Sequence, residues 1–137
     1  MTAATTAPTL VVGLGCQRGC SLAALLALFN EALAGAGIDP RHISALASID
    51  RKQDEPGLLA LAEHLRLPLQ FFSAEQLASH EAQLSHRSAV AFAHTGCHGI
   101  AESAALALAE HLAQRPARLL INRQKSPQAT FALACAG

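Results

Sequence analysis

A charged turn between an apolar strand and a helix is the feature that most constrains the fold. Ile43 to Ile49 is an apolar run typical of a strand, and five of the six residues from Asp50 to Glu55 are charged. Pro56 suits the first turn of a helix, because its φ fits there and its missing N–H is not needed. A strand, a charged turn and a helix in succession indicate an α/β protein, a class that binds ligands at the carboxyl ends of its strands.

A second strand-to-helix turn is rich in glycine. Thr9 to Leu14 is a continuous apolar run, typical of a strand buried on both faces, and the turn Gly13 to Cys20 leads to Ser21, a good N-cap. Glycines allow a tight turn and let a ligand approach backbone N–H groups at a helix N-terminus. The glycine spacing does not match GxGxxG and no P-loop lysine is present, so nucleotide binding is the weaker alternative to a ligand site or a plain tight turn.

The other segments continue the alternation of strands and helices. The pattern predicts a three-layer α/β/α domain with a mostly parallel, mixed sheet of about five or six strands. Residues 1–8 are predicted to be a disordered tail, and residues 9–137 a single domain. Helices are predicted over Ser21–Leu33, Pro56–Leu65, Ala74–Leu84 in part and Ile100–Gln114, and further strands over Leu69–Phe72, Ala89–Ala93, Leu119–Asn122 and Thr130–Cys135.

Composition excludes several classes of function. The apolar content comes from Ala and Leu, without Trp or Tyr, and the formal net charge is zero. These features argue against binding to nucleic acid or to an anionic membrane surface. The chain has no apolar run of about 20 residues and no basic leader, so we expect a cytoplasmic protein whose cysteines are thiols.

The two turns supply candidate residues for an anionic ligand. Arg18 presents a planar fork that matches carboxylates and phosphates. Lys52 is a candidate to bind an acidic ligand, and Glu55 to make a polar contact or transfer a proton. The alternative is a solvated turn whose charges pair with one another, as most surface charge clusters do. Cys16 lies beside Arg18, but we interpret it as an inert thiol because a catalytic cysteine needs a nearby base.

A third turn, His94 to Gly99, precedes the Ala/Leu helix. Its histidines and Cys97 have a spacing that could hold a transition metal, but only three such ligands are close in sequence, so no metal is predicted. The alternative is a glycine-rich turn whose N–H groups face the same pocket as the first two turns. Thr95, Gly96 and Gly99 favour this alternative. Glu102, in the first turn of the following helix, suits the helix dipole.

The last loop, predicted over Arg123 to Ala129, contributes Arg123 and Lys125. These two cations either lie at the exposed end of a hairpin without a ligand or make further contacts with an anionic ligand.

Several segments together resemble a cobalamin-biosynthesis family that comprises CobE and the C-terminal domain of CbiG. A chain of this length resembles the CobE branch, since CbiG has additional N-terminal regions. The matching segments cover nearly the whole chain in the family's order: Gly13–Gly19, Ala47–Lys52, Glu55–Leu58, Gly99–Leu106, and Lys125 before Thr130–Ala134.

The resemblance implies a role in building the corrin ring of vitamin B12. CbiG is linked to opening a lactone ring on a cobalt-containing intermediate, with loss of a two-carbon aldehyde. A precorrin or corrinoid carries acetate and propionate arms, which Arg18, Lys52 and Lys125 could bind.

Three hypotheses follow: a carrier of such an intermediate, a lactone hydrolase-like enzyme with Glu55 or Glu102 as base, and a nucleotide-binding module. Other enzymes of the pathway are candidate partners, and no cofactor is predicted. The predicted ligand-binding residues are Gly15, Cys16, Arg18, Gly19, Asp50, Lys52, Thr95, Gly96, Gly99 and Lys125.

Overall fold

One mixed β-sheet forms the centre of the computed structural model, which describes residues 8–78 and 100–136. Its strand order is β3-β2-β1-β5-β4. The strands are β1 (Thr9–Cys16), β2 (Ala45–Ile49), β3 (Leu69–Phe72), β4 (Ala117–Lys125) and β5 (Ala129–Ala136).

Four of these five strands run in the same direction. β1 pairs with β2 and β2 with β3 in parallel, whereas β5 is antiparallel to both β1 and β4. The last residues of the four co-directional strands, Cys16, Ile49, Phe72 and Lys125, therefore lie at one edge of the sheet, here called the carboxyl edge. β3 is an outermost strand, as Pro68 at its start predicts.

Helices cover both faces of the sheet. They are α1 (Leu22–Ala36), α2 (Pro56–Leu65), α3 (Ala74–Ala78) and α4 (Ile100–Ala113), with short 3₁₀ turns at Pro40–His42 and Asp50–Lys52. One apolar cluster joins α1 and α2 to the sheet through Phe29, Leu58 and Phe131. A second cluster joins α3 and α4 to the opposite face through Leu77, Leu106 and Ala134. The predicted three-layer α/β/α architecture is confirmed.

Local sequence signals account for several helix ends. Ser21 caps α1, its hydroxyl accepting from the Ala24 N–H, and Gly37 ends the helix in the left-handed conformation. Ser73 and Gln76 form a reciprocal capping box: Gln76 accepts from the Ser73 N–H at 2.8 Å, and the Ser73 hydroxyl accepts from the Gln76 N–H at 3.1 Å.

Some sequence-based boundaries are wrong. Arg123 and Lys125 belong to β4, which extends through Lys125, so the final turn spans residues 126–128 rather than the predicted loop from Arg123 to Ala129. The ladder continues because β5 begins at Ala129 and pairs Thr130 with Lys125. The predicted strand Ala89–Ala93 lies outside the described residues.

None of the helices in the described ranges is long and apolar enough to cross a membrane.

Candidate functional site

The carboxyl edge brings the two predicted turns together. β1 leads into the glycine turn at residues 17–20, and β2 leads directly into the 3₁₀ turn Asp50–Lys52. A hydrogen bond connects the two segments: the Gly19 N–H donates to Oε2 of Glu55 at 2.9 Å. Gly19 has a φ of 81°, a left-handed conformation that favours glycine. The turns that carry Arg18 and Lys52 are thus held beside each other.

The glycine turn is also attached to the β4–β5 turn. Gln128 accepts twice from it: its backbone oxygen from the Gln17 N–H at 2.9 Å, and its side-chain oxygen from the Ser21 N–H at 3.3 Å. Within the turn, the Cys20 N–H donates to the Gln17 carbonyl oxygen at 3.1 Å. Sequence reasoning missed Gln128, because no local signal identifies an exposed glutamine as a contact to a segment so distant in the chain.

Glu55 is a buried carboxylate between the two turns. It stands at the N-cap of α2 and is 7% exposed, but its carboxylate bonds to Gly19 instead of capping the helix. Among the described residues, no hydrogen bond is made by its other oxygen, Oε1. A buried carboxylate oxygen is stabilised by a hydrogen-bond donor, and the described residues supply none to Oε1 of Glu55.

Two thiols lie next to Glu55. The Cys16 thiol donates a hydrogen bond to the Cys20 sulfur, and both cysteines are free. Burial, the bond to Cys20 and the nearby Glu55 carboxylate together raise the pKa of Cys16 well above its usual range. Burial also raises the pKa of Cys20. Both groups are therefore protonated at neutral pH, in agreement with the inert interpretation of Cys16.

Cations and anions are mixed at this edge. Arg18 is exposed and Lys52 is half-buried, with Lys52 close enough to both thiols to oppose the rise in their pKa values. Asp50 is exposed beside them, so an acidic ligand would meet like charge on that side. Lys52, Cys16, Cys20 and Glu55 thus form one cluster.

The opposite face of the same edge carries a second group of predicted residues. Side chains of β1 and β5 alternate between the faces, and Gly15 and Thr130 lie on the face covered by α4, whose first residue Ile100 is the neighbour of Gly15. Lys125 pairs with Thr130 on this face and is exposed. Three strand spacings of about 4.8 Å separate the ends of β2 and β4, so the strand end that precedes the Lys52 turn is roughly 14 Å from the one that carries Lys125.

Glu102 lies on the α4 side and is fully buried. Its Oε2 accepts from the Arg123 N–H at 2.9 Å. Its position in the first turn of α4 is the one predicted, but its burial and its bond to β4 could not be read from sequence. Thr95, Gly96 and Gly99, together with the His94–His98 metal alternative, lie outside the described residues.

Three long helices begin at the carboxyl edge. α1 and α2 follow the ends of β1 and β2, and α4 begins beside Gly15. A helix N-terminus carries a partial positive charge, which favours anions.

A shallow groove elsewhere is not part of this arrangement. It lies at the opposite edge of the sheet and is lined by Pro40, Arg41, Ile43, His64, Leu65 and Leu67.

Comparison with known proteins gives consistent matches over most of the chain. The family model described as "Cobalamin synthesis G C-terminus" matches residues 10–134. Protein CobE from Sinorhizobium sp is 42% identical over 125 residues, which are 91% of this chain and 79% of that protein. A cobalt-precorrin-5A hydrolase from Priestia megaterium is 32% identical over 97 residues, which are 71% of this chain but only 25% of that protein.

Solved structures of cobalamin biosynthesis proteins also match this chain over most of its length. The crystal structure of CobE, described as a protein from the cobalamin (vitamin B12) biosynthetic pathway, has a TM-score of 0.91 and 44% identity, covering 95% of this chain and 92% of that one. The cobalamin biosynthesis protein chiG from Agrobacterium tumefaciens str. C58 has a TM-score of 0.71 and 28% identity, covering 94% of this chain and 99% of that one.

Proposed function

Because the chain belongs to the cobalamin synthesis G C-terminal family of cobalamin biosynthesis proteins, we propose that it binds and carries a precorrin or corrinoid intermediate at the carboxyl edge. The observation that carries this proposal is the bond from the Gly19 N–H to Glu55, which holds the Arg18 turn against the Lys52 turn. The ligand class combines an apolar ring with several carboxylate arms, and the edge combines cations with the N-termini of α1, α2 and α4, whose helix dipoles favour anions.

The candidate cations are divided between the two faces of the sheet, which favours a ligand wide enough to reach both. Arg18 and Lys52 are in the turns that lead into α1 and α2, and Lys125 lies on the side of α4. A macrocycle with arms around its rim would contact all three cations by lying across the end of the sheet. A small anion would engage one cluster only.

The experiment is an absorbance titration with cobyrinic acid, a corrinoid whose arms end in free carboxylates. We expect Arg18→Ala and Lys52→Ala each to weaken binding about tenfold, since a charged hydrogen bond contributes about 1.5–3 kcal/mol and 1.4 kcal/mol corresponds to tenfold. Arg118→Ala is the matched control, because Arg118 is an exposed arginine near the start of β4, away from this edge. Equal affinity in all three variants would remove the turns from the site.

Cobinamide, whose arms are amides, tests the chemistry of recognition. We expect it to bind more weakly than cobyrinic acid and to be insensitive to Arg18→Ala. Similar affinity for both corrinoids would contradict recognition through carboxylates.

A second candidate function is hydrolysis of a lactone on the same class of ligand. The relatives named cobalt-precorrin-5A hydrolase motivate it, although the chain spans only 25% and 20% of their lengths. The specific observation is Glu55, a buried carboxylate whose Oε1 has no hydrogen-bond partner in the described part of the chain. In this proposal Glu55 takes a proton from water, the hydroxide adds to the lactone carbonyl, the ring C–O bond breaks, and the alkoxide recovers the proton.

Mass spectrometry distinguishes the two functions. Incubation with a lactone-bearing cobalt-precorrin should leave the ligand mass unchanged for a carrier. For a hydrolase, the mass should rise by one water, or fall by the difference between a two-carbon aldehyde and water if the aldehyde is released after ring opening. A gain of water that persists in Glu55→Gln would exclude Glu55 as the base.

A further inference from the structure

Two glutamates of helix α4 accept hydrogen bonds from the backbone of the edge strand β4. Glu102 Oε2 accepts from the Arg123 N–H at 2.9 Å, and Glu110 Oε2 accepts from the Ala117 N–H at 3.3 Å. The helix and the strand run in opposite directions, so the Glu102 contact lies at the carboxyl edge and the Glu110 contact at the other end of β4. Two contacts of the same kind thus differ in their distance from the candidate site.

β4 has two register shifts, one between Leu119 and Ile121 and one between Ile121 and Gln124, and the contact at Glu102 coincides with the second, which is a β-bulge. Ile121 pairs with Leu133 and Gln124 pairs with Phe131, so β4 advances three residues while β5 advances two. Arg123 lies within this bulge, where its N–H is satisfied by the Glu102 carboxylate. A bulge interrupts the ladder and needs another partner for its displaced N–H, and a buried carboxylate is a strong acceptor.

The bulge decides the face on which Lys125 lies. With the bulge, Lys125 pairs with Thr130, on the face covered by α4. If this bulge were lost and the shift between Leu119 and Ile121 kept, continuation from the Ile121–Leu133 pair would place Lys125 opposite Ala129, whose side chain belongs to the α1–α2 cluster. A shift of one residue reverses the face of every side chain that follows.

We propose that Glu102 is a positioning residue: by holding the Arg123 N–H it fixes the bulge that keeps Lys125 on the α4 side of the carboxyl edge. The functional meaning of this placement rests on the proposed function, in which Lys125 binds one carboxylate arm of the ligand. Glu102 therefore contributes to ligand binding through the backbone of β4 and does not act as the base.

The structural part is tested without any ligand, by NMR of Glu102→Met, Glu102→Gln and Glu110→Met. Methionine keeps the buried volume but removes the acceptor, whereas glutamine keeps one acceptor oxygen. We expect exchange of the Arg123 amide to accelerate about tenfold in Glu102→Met, and the cross-strand contact between Lys125 and Thr130 to disappear. Glu102→Gln and Glu110→Met should keep that contact. Its persistence in a folded Glu102→Met variant would overturn the proposal. If that variant does not fold, Glu102→Ala, which also lacks the acceptor, takes its place: loss of the contact there supports the proposal, and unchanged Arg123 exchange and register overturn it.

The functional part uses a double-mutant cycle with cobyrinic acid. We expect Lys125→Ala and Glu102→Met each to weaken binding about fivefold, and the double variant to be no weaker than Lys125→Ala alone, because both changes remove the same contact. Additive losses would overturn the coupling. If cobyrinic acid does not bind the wild-type protein, the proposed function fails, while the exchange and register data still decide whether Glu102 holds the bulge.

Discussion

The Gly19 N–H donates to Oε2 of Glu55 across 2.9 Å, a contact between residues 36 positions apart in the chain. It joins the turn after β1 to the turn after β2 and places a buried carboxylate between them. The bond uses one oxygen of Glu55, so the anchoring of the turns and an interaction with a ligand can reside in the same side chain.

Glu55→Gln separates these two roles. Its amide oxygen still accepts from Gly19, and a neutral amide costs less to bury than a carboxylate. We expect the free energy of unfolding, measured in urea, to stay within about 1 kcal/mol of the wild type or to rise, whereas any hydrolase activity is lost. A larger loss of stability would show that the negative charge of Glu55 itself holds the turns.

Gly57 is required by close packing of α2. A Cβ at this position would collide with the carbonyl oxygen of Cys20. We expect Gly57→Ala to lower the free energy of unfolding by about 1–3 kcal/mol. The matched control is Gly35→Ala in α1, where nothing lies within 4 Å of the added methyl and where alanine should stabilise the helix by about 0.5–1 kcal/mol. Similar unfolding midpoints for the two variants would contradict this account.

The paired thiols make stability depend on alkaline pH. An unfolded cysteine loses its proton near pH 8.5, whereas burial raises the pKa of Cys16 and Cys20 in the folded protein. The unfolded state then binds fewer protons, so this contribution to stability is complete below about pH 8.5 and falls as the pH rises further. Urea unfolding at pH 7 and pH 10 should show the decrease, and Cys16→Ser with Cys20→Ser should reduce it.

The same protonation predicts slow alkylation. At pH 8, iodoacetamide should modify Cys16 and Cys20 more slowly in the folded protein than in urea, as measured by peptide mass spectrometry. Rapid modification of Cys16 in the folded protein would indicate an accessible thiolate.

A buried serine links the first two parallel strands. The Ser48 hydroxyl donates to the Leu14 carbonyl at 2.7 Å, and Ser48 is fully buried. Ser48→Ala should lower the free energy of unfolding by about 1 kcal/mol, the usual net contribution of one hydrogen bond. Ser44→Ala is the control, because Ser44 is exposed and its hydroxyl accepts only a long bond of 3.4 Å from the Leu10 N–H. Equal losses would show that burial of Ser48 is unimportant.

Much of the fold follows from short-range pattern. The apolar runs predict β1 and β2, Ser21 predicts the start of α1, and the Ser73–Gln76 pair predicts the start of α3. Exposure is less predictable: Ala104, Leu108 and Leu112 recur every four residues, which predicts one packed stripe on α4, and Ala104 and Leu108 are buried, but Leu112 is 48% exposed. Periodicity gives a face of a helix and does not show where its neighbour ends.

The sequence by itself determined the order of most strands and helices and that a charged turn and a glycine-rich turn share one edge, because these properties depend on neighbours a few positions away. Only the tertiary structure decided that Glu55 bonds to Gly19, that Cys16 donates to Cys20, and that the bulge at Arg123 places Lys125 on the α4 side. Such contacts depend on the register and burial of distant segments, and a shift of a single residue in that register would reverse them.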